Sequence, residues 1–259
     1  MDFNAFRQRV LQTFRLDLTS YKENQLKRRL DNLLVRRKLG GYQQLFDQIS
    51  RDRQAYEEFL DYLTINVSEF FRDPQRWQEL EQNVLPDLLR RFGQLKIWSA
   101  ACSIGAEPYS VAILLEELSP GKKHIIHATD LDKSILQQAQ KGIYNADAVR
   151  HVSPERLSRY FHQQGNNYII KEQIKSKVQY AQHDLLADKY DAGYHLILCR
   201  NVTIYFTRQA QDKINRQFSQ SLVPGGVLFI GGSEMIFNYQ ELGLEKMTPC
   251  FYRKSARRG

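Results

Sequence analysis

Cysteine is scarce: three residues in 259, at positions 102, 199 and 250, with no C-x-x-C spacing. An odd, dispersed set excludes a disulfide framework and a cysteine-built zinc site, and it fits a reducing compartment. No metal site is expected. No uncharged apolar run approaches the ~20 residues that a membrane-crossing helix needs. The opening decapeptide, MDFNAFRQRV, carries Asp2, Arg7 and Arg9 and no apolar centre. It therefore argues against a secretory leader and for a cytoplasmic protein without membrane insertion. Internal repeats and low-complexity tracts are missing as well. Acids are outnumbered, 29 against 37 Lys plus Arg, for a formal net charge of +8. That excess favours nucleic acid, an anionic surface or an acidic protein as partner without choosing among them. The 42% hydrophobic and 25% charged residues exclude disorder as the main state. The length allows one to two domains with a full core.

Two grammars follow one another along the chain. Leu26, Leu30, Leu33 and Leu34 recur at helical spacing until Gly40-Gly41 stops the run. Further helices are predicted at about 42–48 and 53–63, and no convincing strand precedes residue 75. Residues 1–75 thus read as a helical N-terminal domain with its linker. Over 76–259, LKIWSAAC (95–102), HIIHATD (124–130), YHLILCR (194–200) and VLFIGG (227–232) read as strands. They alternate with helical stretches at 108–118, 135–142 and 207–222, the last stopped by Pro224-Gly225-Gly226. The alternation predicts an α/β fold with a parallel sheet. Between about 146 and 182 it breaks. Ser153-Pro154 opens a short helix, QQGNN (163–167) is a turn, and YIIK and KVQYAQ predict a small antiparallel β insertion. KVQYAQ should feed back into the main sheet. KSARRG (254–259) reads as a frayed basic tail.

The first strand-to-helix turn, Ser99 to Pro108, is rich in small residues, which let a ligand approach the backbone. Only Gly105 stands where a dinucleotide fingerprint wants G-x-G-x-x-G, so a plain packing turn is an equal reading. Glu107 is either a helix-dipole partner or a ligand contact. It would repel a pyrophosphate, and no Walker lysine is present. A nucleotide-like cofactor with positive charge and no phosphates fits better, and S-adenosylmethionine is such a molecule. Asp130, at the end of the second strand, can accept from both ribose hydroxyls or cap the next helix, although Asp132 is placed for the cap. The Asn/Asp-Pro-Pro-aromatic sequence of amine methyltransferases is absent after the fourth strand, where Cys199 to Phe206 reads CRNVTIYF. That weighs against nucleic-acid methylation.

NVSEFFRDP (66–74), WSAACSIGAEPYS (98–110), ATDLDKSILQQAQKGIY (128–144), LILCRNVTIYF (196–206) and GGVLFIGGSE (225–234) occur in that order. Together these blocks resemble the chemoreceptor glutamate O-methyltransferases of bacterial chemotaxis, the CheR family, over essentially the whole chain. The resemblance implies an N-terminal all-helical domain and a Rossmann-like methyltransferase sheet with a small antiparallel β insertion. It implies methyl transfer from S-adenosylmethionine, giving S-adenosylhomocysteine, to glutamates on the cytoplasmic helices of methyl-accepting chemoreceptors. By matching motif positions, cofactor contacts would be Asn66, Ser68, Arg72, Glu107, Asp130, Asp184, Leu185, Arg200 and Asn201. Arg72 and Tyr205 would lie by the transferring methyl as catalytic residues. The chain departs from the usual family residue at Ala101 (Gly), Ala106 (Glu), Ser68 (Thr), Asp184 (often Asn), Thr203 (aliphatic) and Gly232 (His).

A glutamate carboxylate is ionised at neutral pH, with a reference pKa of about 4.3, and needs no general base. The work left to the enzyme is in-line positioning. From Lys22 to Lys38 the chain carries Lys22, Lys27, Arg28, Arg29, Arg36, Arg37 and Lys38 against Glu23 and Asp31. Lys22, Arg29 and Arg36 fall seven apart on one helix face. That face is either solvated or a docking surface for an acidic helix, and the resemblance favours docking. No oligomerisation signal is present, so a monomer is expected. The competing reading of the whole chain is a catalytically silent module that senses S-adenosylmethionine or S-adenosylhomocysteine.

Overall fold

A computed structural model describes residues 1–64 and 66–256. Of the expected basic tail, residues 257–259 lie outside the described residues. The first helices are α1 (Phe3–Phe14), α2 (Glu23–Arg36), α3 (Tyr42–Arg51) and α4 (Arg53–Leu63). Their apolar faces close on a core that includes Phe6, Val10, Leu30, Leu45 and Phe59. Side-chain caps start two of them: Asp2 accepts from Ala5 N–H and Asp52 from Gln54 N–H. The leucine stripe of α2 faces inward as expected, with Leu26, Leu30 and Leu33 buried.

Residues 66–69 form neither helix nor strand, and Phe70 and Phe71 are buried in the core of the sheet unit. Phe70 meets Tyr144 and Phe161 edge-on, and Phe71 meets Trp77. Next come α5 (Pro74–Glu79) and α6 (Leu85–Phe92), joined through a π-helical stretch over Leu80–Val84. Trp77, Leu80, Val84, Leu85 and Leu88 pack on the same core.

The remaining elements are β1 (Lys96–Ala100), α7 (Ala106–Leu118), β2 (Ile125–Asp130), α8 (Lys133–Lys141), β3 (Ile143–Tyr144), α9 (Ala146–Val149) and α10 (Pro154–Tyr160). They continue as β4 (Phe161–Gln164), β5 (Asn167–Ile170), α11 (Glu172–Lys175), β6 (Val178–Gln182), β7 (Tyr194–Cys199), α12 (Arg208–Ser221), β8 (Leu222–Ile230), β9 (Leu244–Thr248) and β10 (Phe251–Lys254). The large sheet runs β6-β2-β1-β7-β8-β10-β9, and a small one runs β3-β5-β4. Neighbours from β6 to β8 are parallel, whereas β10 is antiparallel to both β8 and β9. Strand order reverses between β1 and β7, so a crevice opens beyond their carboxyl ends. Among the described residues no helix is long and apolar enough to cross a membrane.

KVQYAQ does return to the large sheet, as β6 beside β2, and the antiparallel insertion is the β3-β5-β4 sheet, whose strands fall between Ile143 and Ile170 rather than over 146–182. Two local expectations change. Pro224-Gly225-Gly226 lies inside β8 rather than before it: the pairing with β7 slips register there, and Gly225 takes φ +83°. Strands β9 and β10 were not expected from the pattern. β9 is an edge strand whose only buried residue is Leu244, so it shows no alternation.

Candidate active site

The turn after β1 is built from left-handed residues: Ala101 at φ +57°, Ser103 at +50° and Gly105 at +81°. Gly105 is required there, because a Cβ would come within 2.5 Å of the Tyr180 hydroxyl and 2.9 Å of Ala139 Cβ. The bend delivers Ser103 N–H to Asp130 Oδ2 at 2.8 Å, and Asp132 N–H reaches Asp130 Oδ1 at 3.1 Å. Asp132 itself caps α8, accepting from Ser134 N–H at 2.8 Å and Ile135 N–H at 3.4 Å. The alternatives for Asp130 are thereby separated: the helix cap belongs to Asp132, and Asp130 faces a cavity. Burial pushes the Asp130 carboxyl up to about 6, although the two backbone donors pull the other way.

Glu107, in the first turn of α7, accepts from Ser99 Oγ at 2.9 Å and lies 3.7 Å from the Arg200 guanidinium. Burial raises its pKa, opposed by Arg200. Arg200 is a clamp with a side chain only 3% exposed. It donates to the Arg72 carbonyl and the Asp73 carboxylate, both at 2.9 Å, and its guanidinium lies over the Phe229 and Trp77 rings. In this way the end of β7 grips the turn that follows Phe71. Arg72 is held more loosely: it is half-buried, and its guanidinium donates to the Val67 carbonyl at 3.2 Å.

Asn201 sits at φ +60° just beyond β7. Its N–H donates to the buried Glu234 carboxylate, as do those of Val202, Thr203 and Gly231, together with the Thr203 hydroxyl, at 2.7–3.0 Å. Gly231 permits this approach, since a Cβ there would lie 2.8 Å from Asn201 N. The loop carries Tyr205 in a short 3₁₀ turn, Thr203–Tyr205. Tyr205 C=O accepts from Lys22 N–H at 2.9 Å, Tyr21 pairs with Phe206, and Thr207 N–H reaches Ser20 C=O at 2.8 Å. The helical unit is therefore stitched to the loop through Ser20, Tyr21 and Lys22.

Two adjoining cavities fill the crevice. The first, about 860 Å³ with its open mouth, is lined by Asn66, Asp130, Asp184 and Leu185, and also by Tyr21 and Arg29. The second, about 670 Å³, is lined by Ser68, Arg72, Glu107 and Arg200. Ala101, Ser103, Asn201, Val202 and Tyr205 line both. Every residue expected at the cofactor or the methyl group thus borders this double cavity. Asn66 also turns its amide to Asp61 and Thr64, and Asp184, raised by burial, accepts from Leu186 N–H.

The basic face of α2 divides. Lys22 and Arg36 are exposed, and Lys22 precedes the helix as its N-cap. Arg29 is half-buried and turned into the first cavity, with its guanidinium donating to the Tyr62 carbonyl and lying over the Tyr62 ring. The sequence reading missed the role of Glu234, although the GGSE block containing it stood out. It also missed Ser103 and Tyr21.

Comparison with known proteins agrees with this architecture. The family model described as "CheR methyltransferase, all-alpha domain" matches residues 1–64, and "CheR methyltransferase, SAM binding domain" matches residues 66–250. A chemotaxis protein methyltransferase of Listeria monocytogenes is 41% identical over 256 residues, covering 98% of this chain and 97% of that protein. Chemotaxis protein methyltransferase 1 of Pseudomonas aeruginosa is 36% identical, covering 92% of this chain and 91% of its own. The chemotaxis protein methyltransferase of Escherichia coli is 32% identical, covering 90% and 83%. With both models matched in chain order across nearly all of its length, this protein belongs to the CheR methyltransferase family.

Proposed function

We propose that the protein transfers the methyl group of S-adenosylmethionine to glutamate side chains of methyl-accepting chemoreceptors, forming glutamyl methyl esters. The observation that carries this reading is the double cavity, with Asp130 and Asp184 in one half, Glu107 beside Arg72 and Arg200 in the other, and Tyr205 and Asn201 at its waist. An elongated ligand with a diol at one end and an ammonium at the other matches that donor set. The Ser103 hydroxyl, buried at the waist with no protein partner, is a further hydrogen-bonding group for that ligand. Asp130 would accept from the ribose hydroxyls, with Asp184, Leu185 and Asn66 around the nucleoside. Glu107 would take the ammonium, and Ser68, Arg72, Arg200 and Asn201 would border the amino-acid end. When bound, S-adenosylmethionine supplies an electrophilic methyl on a sulfonium.

The acceptor carboxylate is already charged at neutral pH, so the residues here have no proton to remove. Arg72 holds that carboxylate and Tyr205 O–H orients one of its oxygens toward the waist. Transfer would exchange the carbon–sulfur bond for a carbon–oxygen bond, with the opposite charges of the two reactants cancelling. A site that excludes water favours this change. Lys22 and Arg36 on the exposed side of α2, with Arg29 at the cavity edge, form the docking band for the glutamate-rich receptor helix. All of these groups come from one chain, and the protein acts as a cytoplasmic monomer.

The test is transfer of labelled methyl groups to a panel of receptor fragments, followed by mapping of base-labile glutamyl esters. Transfer to glutamates is expected. Tight S-adenosylhomocysteine binding without transfer to any fragment would return the silent sensing module instead.

A further inference from the structure

A third recess, about 770 Å³ with its open mouth, shares Arg72 and Asn201 as a wall with the second cavity. Arg76, Gly232 and Ser233 complete its polar lining. Its acid, Asp73, is held by Arg200 at 2.9 Å, and Arg76 spends one nitrogen on Glu79 at 3.2 Å. An incoming anion therefore meets two guanidinium groups and a carboxylate that is already paired.

The segment after Ser233 alternates strictly. Glu234 and Ile236 point inward and are buried, whereas Met235 and Phe237 point outward, 53% and 66% exposed. The inward pair fixes the outward pair, because Glu234 is bonded to the catalytic loop and Ile236 sits in the sheet core. Arg208 lies over the Phe237 ring at 4.3 Å and is itself paired with Asp212 at 3.1 Å. Its neighbour Thr207 is bonded to Ser20, three residues before α2 begins. Phe, Met and Arg are residue types enriched in protein interfaces.

The geometry points to this recess as the acceptor site, with the glutamate side chain entering past Gly232 and Ser233 to Arg72. Met235, Phe237 and Arg208 seat the apolar shoulder of the amphipathic helix that carries it. The occupant is a glutamate-bearing helix because the recess offers two guanidinium groups, the segment that leaves it exposes Met235 and Phe237, and it shares with the methyl site the same Arg72 and Asn201. This assignment rests on the methyl-transfer reading above.

Gly232 provides the test. A Cβ there meets no atom within 4 Å, and its backbone is outside the left-handed region, so a large side chain fills the recess without displacing the fold. Gly232→Trp is expected to lower kcat/KM for a receptor fragment by about a hundredfold, with S-adenosylhomocysteine affinity within about twofold of wild type. The Met235→Ser/Phe237→Ser double variant should raise KM about tenfold with little change in kcat, as for lost uniform binding. Wild-type transfer reads the function, and the ratio of variant to wild type reads the recess. No transfer by the wild type to any fragment would remove both. Transfer by the wild type with wild-type kinetics in both variants overturns the acceptor site alone. Loss of S-adenosylhomocysteine affinity in Gly232→Trp also overturns it, by making the recess part of the cofactor cavity.

Discussion

The buried carboxylate of Glu234 accepts the N–H of Asn201 at 2.9 Å and so helps to hold Asn201 at φ +60°. The same carboxylate takes the N–H groups of Val202, Thr203 and Gly231, so one side chain gathers the start of the loop that carries Tyr205. Each unpaired buried donor costs about 1–3 kcal/mol. Glu234→Ala is therefore expected to destabilise the protein by several kcal/mol, in denaturant unfolding, and to weaken S-adenosylhomocysteine binding. Thr203→Val removes only the hydroxyl bond to Glu234, worth about 1.5–3 kcal/mol for a charged partner. Unchanged stability in Glu234→Ala would show that the loop does not depend on this anchor.

Ala101 bears a different strain. It occupies φ +57°, where an L-residue costs about 1–2 kcal/mol relative to the right-handed region. Glycine relieves that cost but adds about 0.4–1 kcal/mol of unfolded-state entropy. Ala101→Gly should therefore stabilise the chain by up to about 1.5 kcal/mol on these terms, read as a higher denaturation midpoint at constant slope. A lower midpoint would mean that the alanine methyl, which lines both cavities, packs more usefully than its backbone suffers.

What was legible in the sequence divides along the same line. The acid at the end of β2 could be read because strand, turn and Asp132 cap are all local, within a few residues of Asp130. The role of Glu234 could not, since its partner Asn201 is 33 positions away and only the fold joins them. Backbone strain at Ala101 leaves no mark in composition or periodicity. Periodicity put Arg29 on a face with Lys22 and Arg36, but the Tyr62 carbonyl, near the end of α4, draws its guanidinium inward. The edge strand β9 buries too little to imprint a period.

Asp130 sets a pH dependence. With its carboxyl near 6, the cofactor-free protein holds it charged at pH 7 and increasingly protonated below 6. If Asp130 accepts from the ribose hydroxyls, which donate best to the charged form, affinity should be full above pH 7 and fall by up to about tenfold per unit below pH 6. The stability sign is opposite. A folded pKa above the unfolded ~3.9 favours the fold at low pH, and that contribution is lost as pH rises from about 4 through 6. Glu107 and Asp184, also raised by burial, add to the profile. Calorimetric titration with S-adenosylhomocysteine from pH 5 to 8 checks it, with Asp130→Asn as the comparison. A flat wild-type profile would remove Asp130 from the ribose.

Arg72 and Arg200 lie side by side, yet they should fail differently. Arg200 is nearly inaccessible, bonded to a carbonyl and a carboxylate, and packed against two aromatic rings. Removing it leaves Asp73 and Glu107 without their cation, and breaking a buried pair costs about 3–5 kcal/mol. Arg200→Ala should thus lose stability and transfer together. Arg72 spends its guanidinium on one carbonyl, at 3.2 Å, and is half-exposed. Its loss should move stability by no more than about 0.5 kcal/mol. If it holds the acceptor carboxylate, the rate of labelled-methyl transfer should drop at least about a hundredfold, the equivalent of ~2.7 kcal/mol in the barrier. Arg72→Lys keeps the charge but not the fork, so partial recovery is expected. Single-turnover transfer measured beside denaturant unfolding separates the two residues. An Arg72→Ala protein that turns over normally but unfolds early would make Arg72 a structural tie between linker and sheet, and leave Tyr205 alone at the methyl site.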